Sequence, residues 1–396
     1  MLVEKKLKSI VLFIYTLVGT GGAERLLLEE HNFFKKMGIK TRILTFRFKR
    51  KALFNYKLCD LEVLKESNYL SEVLSLRKRL KEIKPDLVVA VHDLHVYPAT
   101  IFTGIPYILH IHGSMFWTND WKKYALIHKR VFKTIRESII GHKQFVPEKP
   151  RFSALGRIRI EVSSLLDYLV VKKAKKVLVL SPQMKWEVEK LYGKDAIVLR
   201  GGVKPDLLNY KPKQNIKEKL GLKGKRILLS VGRLDPRKRI DTLIKAFASV
   251  RPKFDDVVLI IVGSGSDEGR LTALVKELGL GDKIIFTGHV KDDELWDYYA
   301  GCDVFATPAW AEFDIAPYEA LALQKKVVWS SEMADDLLKD ERVIAAEPTS
   351  EGFAEGIEKA LMMKIRGKLD LQEYTWENYC KKILNICERV VCGDKA

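Results

Sequence analysis

The chain has 396 residues, 47% of them hydrophobic and 30% charged, which is the composition of an ordinary globular protein. At roughly 150 residues per domain, the length predicts two or three domains. No apolar run reaches the roughly 18 residues that cross a bilayer, and Ile10–Ile14 is too short for a signal-peptide core, so a cytoplasmic protein is expected.

The net charge is +18, and it is unevenly placed. Residues 1–200 hold 38 basic and 19 acidic residues, a net of +19, whereas residues 201–396 hold 31 and 32, a net of −1. Such asymmetry draws an anionic partner to one half: a phospholipid surface, a phosphate-linked acceptor or nucleic acid. The five cysteines (Cys59, Cys302, Cys380, Cys387 and Cys392) lack C-x-x-C spacing and read as reduced thiols, not as a zinc site.

Along the chain, short β-branched runs alternate with helical patterns. Predicted strands are Ile10–Tyr15, Thr41–Phe46, Leu87–Val91, Ile108–Ile111 and Val177–Leu180, then Ile227–Val231, Val257–Val262, Ile284–Phe286, Val304–Ala306 and Val327–Trp329. Continuous apolar strands of this kind belong to parallel sheets covered on both faces, so the class is α/β with two doubly wound domains. The stretch Gly201-Gly202-Val203-Lys204-Pro205 precedes a polar segment and marks the boundary: residues 1–204 form the first domain and 205–374 the second, with a terminal helix in 375–396. Residues 117–176 read as two helices joined by the loop Gln144–Phe152. In the first, Tyr124, Ile127, Val131 and Ile135 fall at helical spacing among Lys122, Lys123, Lys129, Arg130, Lys133 and Arg136. A basic amphipathic helix can lie on a membrane surface or pack into a core with a solvated basic face.

Five motifs sit at strand-to-helix or strand-to-loop turns. Gly19-Thr20-Gly21-Gly22-Ala23-Glu24 follows the first strand and opens a helix whose free N–H groups suit an anion. His110-Ile111-His112-Gly113 ends a strand, and alternation sends both histidines to one face without the further ligands a metal needs. Gly232-Arg233-Leu234-Asp235-Pro236-Arg237-Lys238 places cations where a doubly wound sheet opens its crevice, as a pyrophosphate requires. The glycines of Val262-Gly263-Ser264-Gly265 permit close approach of a nucleotide. Glu312-Phe313-Asp314-Ile315-Ala316-Pro317-Tyr318-Glu319 carries three carboxylates suited to sugar hydroxyls, with Pro317 near a helix start.

Together these motifs resemble glycosyltransferase family 4, retaining enzymes of the GT-B fold, over nearly the whole chain and in family order. The resemblance implies two Rossmann-like domains about a cleft, with a C-terminal helix crossing back towards the first. It likens Gly21 and Gly22, in Gly21-Gly22-Ala23-Glu24-Arg25, to the loop that meets the donor phosphate. Ile111-His112-Gly113 matches the family's cleft histidine, Gly202-Val203 resembles the interdomain segment, and Gly232-Arg233 with Lys238 matches the diphosphate-holding set. Gly288-His289-Val290 resembles the base-contacting loop, with Gly263, Gly265, Ile315 and Ala316 also on the donor side. Glu319 matches the ribose-binding second glutamate. Tyr374-Thr375-Trp376-Glu377 opens the crossing helix. The pattern departs in one place: the family has seven residues between its glutamates, while Glu312 and Glu319 enclose six. Either the loop is one residue shorter or Ala311 takes the first glutamate's place. Asp314 stands where glycine is usual.

What this implies is transfer of a hexose, with retained configuration, from a UDP-, GDP- or ADP-sugar to an acceptor hydroxyl. Arg233 and Lys238 would stabilise the leaving diphosphate. Glu312 or Asp314 would orient the sugar, and His112 would sit near its reacting face. With no D-x-D motif, the two cations serve in place of a metal, and no cofactor is expected. The expected acceptor is a lipid-linked or membrane-borne glycan, with the first domain peripheral on an anionic membrane. The alternatives are a soluble acceptor, such as a tRNA or small polyol, and a non-catalytic binding protein of the same fold. Nucleic acid is disfavoured because no RNA-binding module is recognisable.

Overall fold

A computed structural model describes residues 6–19, 22–53, 56, 58, 60–113, 153–309, 314–332 and 339–393. The chain divides into two compact units. One runs to Arg200 and resumes at Tyr379; the other is Gly201–Asn378.

The first unit is built on a parallel sheet of β1 (Ser9–Phe13), β3 (Lys40–Thr45), β5 (Leu61–Val63), β6 (Leu87–Val91), β7 (Tyr107–Ile111), β8 (Val177–Val179) and β9 (Ile197–Val198). Its spatial order is β5-β3-β1-β6-β7-β8-β9. The chain starts in the middle, winds outwards through β3 and β5, then crosses β1 to β6 and winds the other way. A switch point therefore lies between β1 and β6, which pair in register from Ile10↔Leu87 to Phe13↔Ala90. A small ribbon, β2 (Thr16–Leu17) with β4 (Arg47–Phe48), extends the carboxyl ends of β1 and β3.

The second unit has β10 (Arg226–Val231), β11 (Val257–Val262), β12 (Ile284–Gly288), β13 (Val304–Thr307), β14 (Lys326–Ser330) and β15 (Val343–Ala346), ordered β12-β11-β10-β13-β14-β15 and all parallel. Alternation along its strands feeds two cores. Leu228, Leu259, Ile261, Val304 and Val328 pack with helices Ile240–Val250 and Ser350–Met362. Leu229, Ile260, Phe305, Val327 and Trp329 pack with Tyr298, Tyr299 and helix Ile315–Ala322 on the other face. Burial on both faces is why these strands are uninterrupted apolar runs.

All ten predicted strands are present, with ends shifted by up to two residues. Beyond them lie β5, β9 and β15 and the β2–β4 ribbon, of which β5 and β9 are short and only half-buried. The second predicted helix of residues 117–176 is Ala154–Lys173, capped where Gly156 N–H donates to Ser153 Oγ at 3.2 Å. The first, with Lys129, Arg130 and Lys133, lies outside the described residues. Among the described residues no helix is long and apolar enough to cross a membrane.

Gly202-Val203 pairs with the chain just before helix Trp376–Cys392. Val203 N–H donates to Tyr374 O at 2.8 Å, and Trp376 N–H donates to Val203 O at 3.1 Å. A Cβ on Gly202 would lie 2.2 Å from the Thr375 carbonyl carbon, so only glycine fits.

Candidate functional site

In the second unit the candidate residues gather at the carboxyl ends of β10 to β13, the side where open α/β sheets bind ligands. The switch point lies between β10 and β13. Lys238 stands in the turn after β10, and Asp314 in the turn after β13. Lys238 Nζ is 3.0 Å from Asp314 Oδ2, and Thr307 Oγ1 donates to the same oxygen at 3.3 Å. Asp314 occupies the N-cap position of helix Ile315–Ala322 without bonding a helix amide. Its carboxylate is turned to Lys238 instead of the helix.

The glycines hold the loops together. Gly232 N–H donates to Val262 O at 3.0 Å, Leu234 N–H to Ser264 O at 3.0 Å, and Gly263 N–H to Gly288 O at 2.8 Å. Gly263 has φ +132°, and a Cβ there would lie 1.9 Å from Gly232 O; one on Gly265 would lie 2.1 Å from Leu234 O. Thus the side-chain space at both glycines is filled by the backbone of the Gly232–Leu234 loop. The stem of Lys238 runs over Gly232, its Cε 3.5 Å from where a Cβ would be. Arg233, next along, is 68% exposed and reaches Asp235 Oδ2 at 3.3 Å.

His289 is exposed just after β12, and Val290 is half-buried. It packs on the same core as Tyr298 and Tyr299. Ile315 is half-buried, while Ala316 and Glu319 are buried in the helix after Asp314. Burial first, and then the charge of the nearby Glu319 carboxylate, holds the Tyr299 hydroxyl protonated well above the usual tyrosine range. Glu312 and Gly21 lie outside the described residues.

Sequence reasoning passed over Thr307, Tyr299 and the role of Arg239. That arginine adopts φ +50°, is buried, and reaches Glu332 Oε2 at 2.7 Å, joining the turns after β10 and β14. A basic run disguises it: Arg237, Lys238 and Arg239 look alike in sequence but have different surroundings.

In the first unit, Gly22 starts helix Gly22–Lys36 with open space about it. Glu24 from that helix accepts Gly19 N–H at 3.2 Å. His110 and His112 lie on one face at the end of β7, their rings edge to face at 4.2 Å. Behind them Glu30 is buried. It accepts the Tyr379 hydroxyl and lies 3.4 Å from His110 Nδ1. Burial pushes the Glu30 carboxyl up to about 7, against the lowering effects of Tyr379 and His112. Burial pulls His110 down to about 3. Burial, then His110, holds His112 well below the usual histidine range, with Glu30 opposing. Among the described residues neither ring nitrogen of His112 has a hydrogen-bond partner. The sequence signal for Glu30 was a carboxylate four residues from both Leu26 and Phe34 on the buried helix face.

A second cluster that sequence reasoning missed lies at the ends of β1, β3 and β6. His95 is clamped between Asp93 Oδ1 at 2.6 Å and Glu72 Oε2 at 2.9 Å, and stacks on Tyr15 at 5.1 Å. Desolvation opposes its charge, but Asp93 and Glu72 prevail and raise its pKa. Among the described residues no set of three or more His, Cys, Asp or Glu is placed to hold a metal.

Two parallel-sheet Rossmann-like units, the second with glycine turns and cations at its switch point, define a doubly wound α/β protein. Two family models match: Glycosyltransferase Family 4 over residues 20–207 and Glycosyl transferases group 1 over residues 212–377. The chain belongs to glycosyltransferase family 4 and has the GT-B fold. An uncharacterized glycosyltransferase of Methanocaldococcus jannaschii is 29% identical over 243 residues, covering 56% of this chain and 62% of that protein. Phosphatidyl-myo-inositol mannosyltransferase of Mycobacterium leprae is 30% identical over 221 residues, covering 52% and 56%. The matched span is thus less than two thirds of either relative. The crystal structure of a glycosyltransferase from Rickettsia africae is similar in fold, with a TM-score of 0.70 at 18% identity, covering 97% of this chain and 99% of that one.

Proposed function

We propose that the protein is a retaining hexosyltransferase that moves a sugar from a nucleoside-diphosphate donor to a hydroxyl of a lipid-linked or membrane-borne glycan, without a metal. The observation that carries this reading is the placement of Arg233 and Lys238 on interlocked glycine loops at the switch point between β10 and β13. As the glycosidic bond breaks, negative charge gathers on the diphosphate, and preorganised cations there lower the barrier. His289 and Val290 would meet the base, and Glu319 the ribose. The sugar would lie by Asp314 and Glu312, and a role for His112 at its reacting face is what the family resemblance implies. Gly21 and Gly22 would serve the donor phosphate.

The acceptor reading rests on charge and surface. The first 200 residues carry the whole positive excess. On helix Ala154–Lys173, Leu155, Ile158, Val162 and Leu165 are exposed at spacings of three, four and three residues, one continuous apolar stripe. Apolar side chains amid positive charge suit an anionic lipid surface. The mannosyltransferase relative is named for a phosphatidylinositol acceptor, which agrees with this choice.

A thermal-shift screen against UDP-, GDP- and ADP-sugars tests the donor, since ligands bound only by the folded state raise the melting temperature. NMR of the anomeric proton in the product tests retention. Binding of a donor without hydrolysis or transfer to any lipid acceptor would favour a non-catalytic role.

A further inference from the structure

The ion pair between Lys238 and Asp314 has a consequence for the diphosphate site. Their side chains are 17% and 7% exposed, so the pair is poorly screened. Thr307 Oγ1 holds the same Asp314 oxygen at 3.3 Å, and so fixes which way the carboxylate points. Helix capping does not explain the carboxylate, because it bonds no helix amide.

We propose that Asp314 is an affinity-setting residue that competes with the donor diphosphate for Lys238, weakening nucleoside-diphosphate binding and speeding release of the diphosphate product. This rests on Lys238 being a diphosphate ligand. An ammonium has three N–H donors, so a phosphate can join Asp314 on Lys238 without displacing it. But a phosphate oxygen within hydrogen-bond reach of Nζ then lies only roughly 5–6 Å from the carboxylate, where like charges repel in a partly buried site. Either the diphosphate bears that repulsion or it separates the pair, and both weaken binding. Removing the charge while keeping the shape frees Lys238 for the phosphate.

The test is calorimetric titration of UDP, GDP and ADP into wild-type protein, D314N, D314S, R233A and K238A. Melting temperatures verify that each variant is folded. D314N and D314S are expected to bind the preferred diphosphate about tenfold tighter, or about 1.4 kcal/mol. Stopped-flow release should be slower by a similar factor, because affinity changes within one site fall mostly on dissociation. R233A and K238A are expected to bind more weakly. If these two weaken binding but D314N and D314S bind as wild type or worse, the competition is overturned and the diphosphate site stands. If no diphosphate binds any variant, or R233A and K238A bind as wild type, the diphosphate site itself falls.

Discussion

Glu30→Gln removes one buried titration. Glu30 is 3% exposed and faces Tyr379 and Cys387 from the terminal helix, with His110 and His112 from β7. Its pKa is raised from 4.5 in the reference state to about 7 in the fold. Between those values the folded chain keeps a proton that the unfolded chain has released. The contribution to stability is therefore fully present below about pH 4.5 and is lost as pH rises through about 7. A rise from 4.5 to about 7 makes it on the order of 3 kcal/mol. The histidines act oppositely: with pKa values depressed by burial, they stabilise above about pH 6.5 and lose that stability as pH falls. Glutamine keeps the shape and can still accept the Tyr379 hydroxyl, while it removes the Glu30 charge that acts on His112. Subtracting E30Q from wild type therefore gives the Glu30 titration together with its coupling to His112. Urea unfolding of both full-length proteins from pH 4.5 to pH 8 should show the wild-type advantage shrinking by up to about 3 kcal/mol. A difference that stays constant within about 0.5 kcal/mol across that range would refute the reasoning, because Glu30 would then titrate as it does in the unfolded chain.

Other outcomes follow from the same geometry. Arg233→Ala should reduce turnover by on the order of 10²-fold while changing stability by less than about 0.5 kcal/mol, since the side chain is largely exposed; a kinetic assay with the preferred donor and a thermal melt separate the two. Gly263→Ala should lose at least about 1–3 kcal/mol from backbone strain alone, because φ is +132° and the new Cβ meets Gly232 O. Gly269→Ala, in helix Glu268–Glu277 with open space about it, is the control and should be neutral or stabilising by about 0.4–1 kcal/mol in the same denaturation experiment. Ile158→Ser with Val162→Ser should lower co-sedimentation with anionic vesicles by more than about tenfold, as burying each such side chain gives roughly 1.5–3 kcal/mol. Equal pelleting of the double variant and wild type would make the exposed stripe a bystander.

The strands were legible because burial on both faces writes them as unbroken apolar runs. Those that were missed have a physical reason. Leu61–Val63 and Ile197–Val198 lie at the edges of their sheet, where half-exposure dilutes the pattern to two or three residues. The phosphate-type turns were legible as glycine and cation clusters after strands. The work of each glycine was not. In sequence, Gly263 and Gly265 suggest room for the close approach of a nucleotide, yet their Cβ space is filled by another turn of the same unit. Contacts between residues separated by 30 or more positions leave no local trace. Lys238–Asp314 spans 76 positions and Glu30–Tyr379 spans 349. The second left a hint, a carboxylate on a buried helix face, but the partner could not be named from sequence.

Burial also assigns the charges in the proposed reaction. His112 and His110 both lose their protons at lower pH than ordinary histidines, so near pH 7 both are neutral imidazoles. A neutral ring can donate or accept one hydrogen bond to a sugar hydroxyl and can position it, but it adds no positive charge against a leaving diphosphate. In the proposed reaction that electrostatic task would fall to Arg233 and Lys238. Of these, Arg233 is exposed and only loosely engaged by Asp235, while Lys238 is already engaged by Asp314. In the proposed reaction, charge at the leaving group would therefore be set less by how many cations the turn carries than by which carboxylates hold them before the donor arrives.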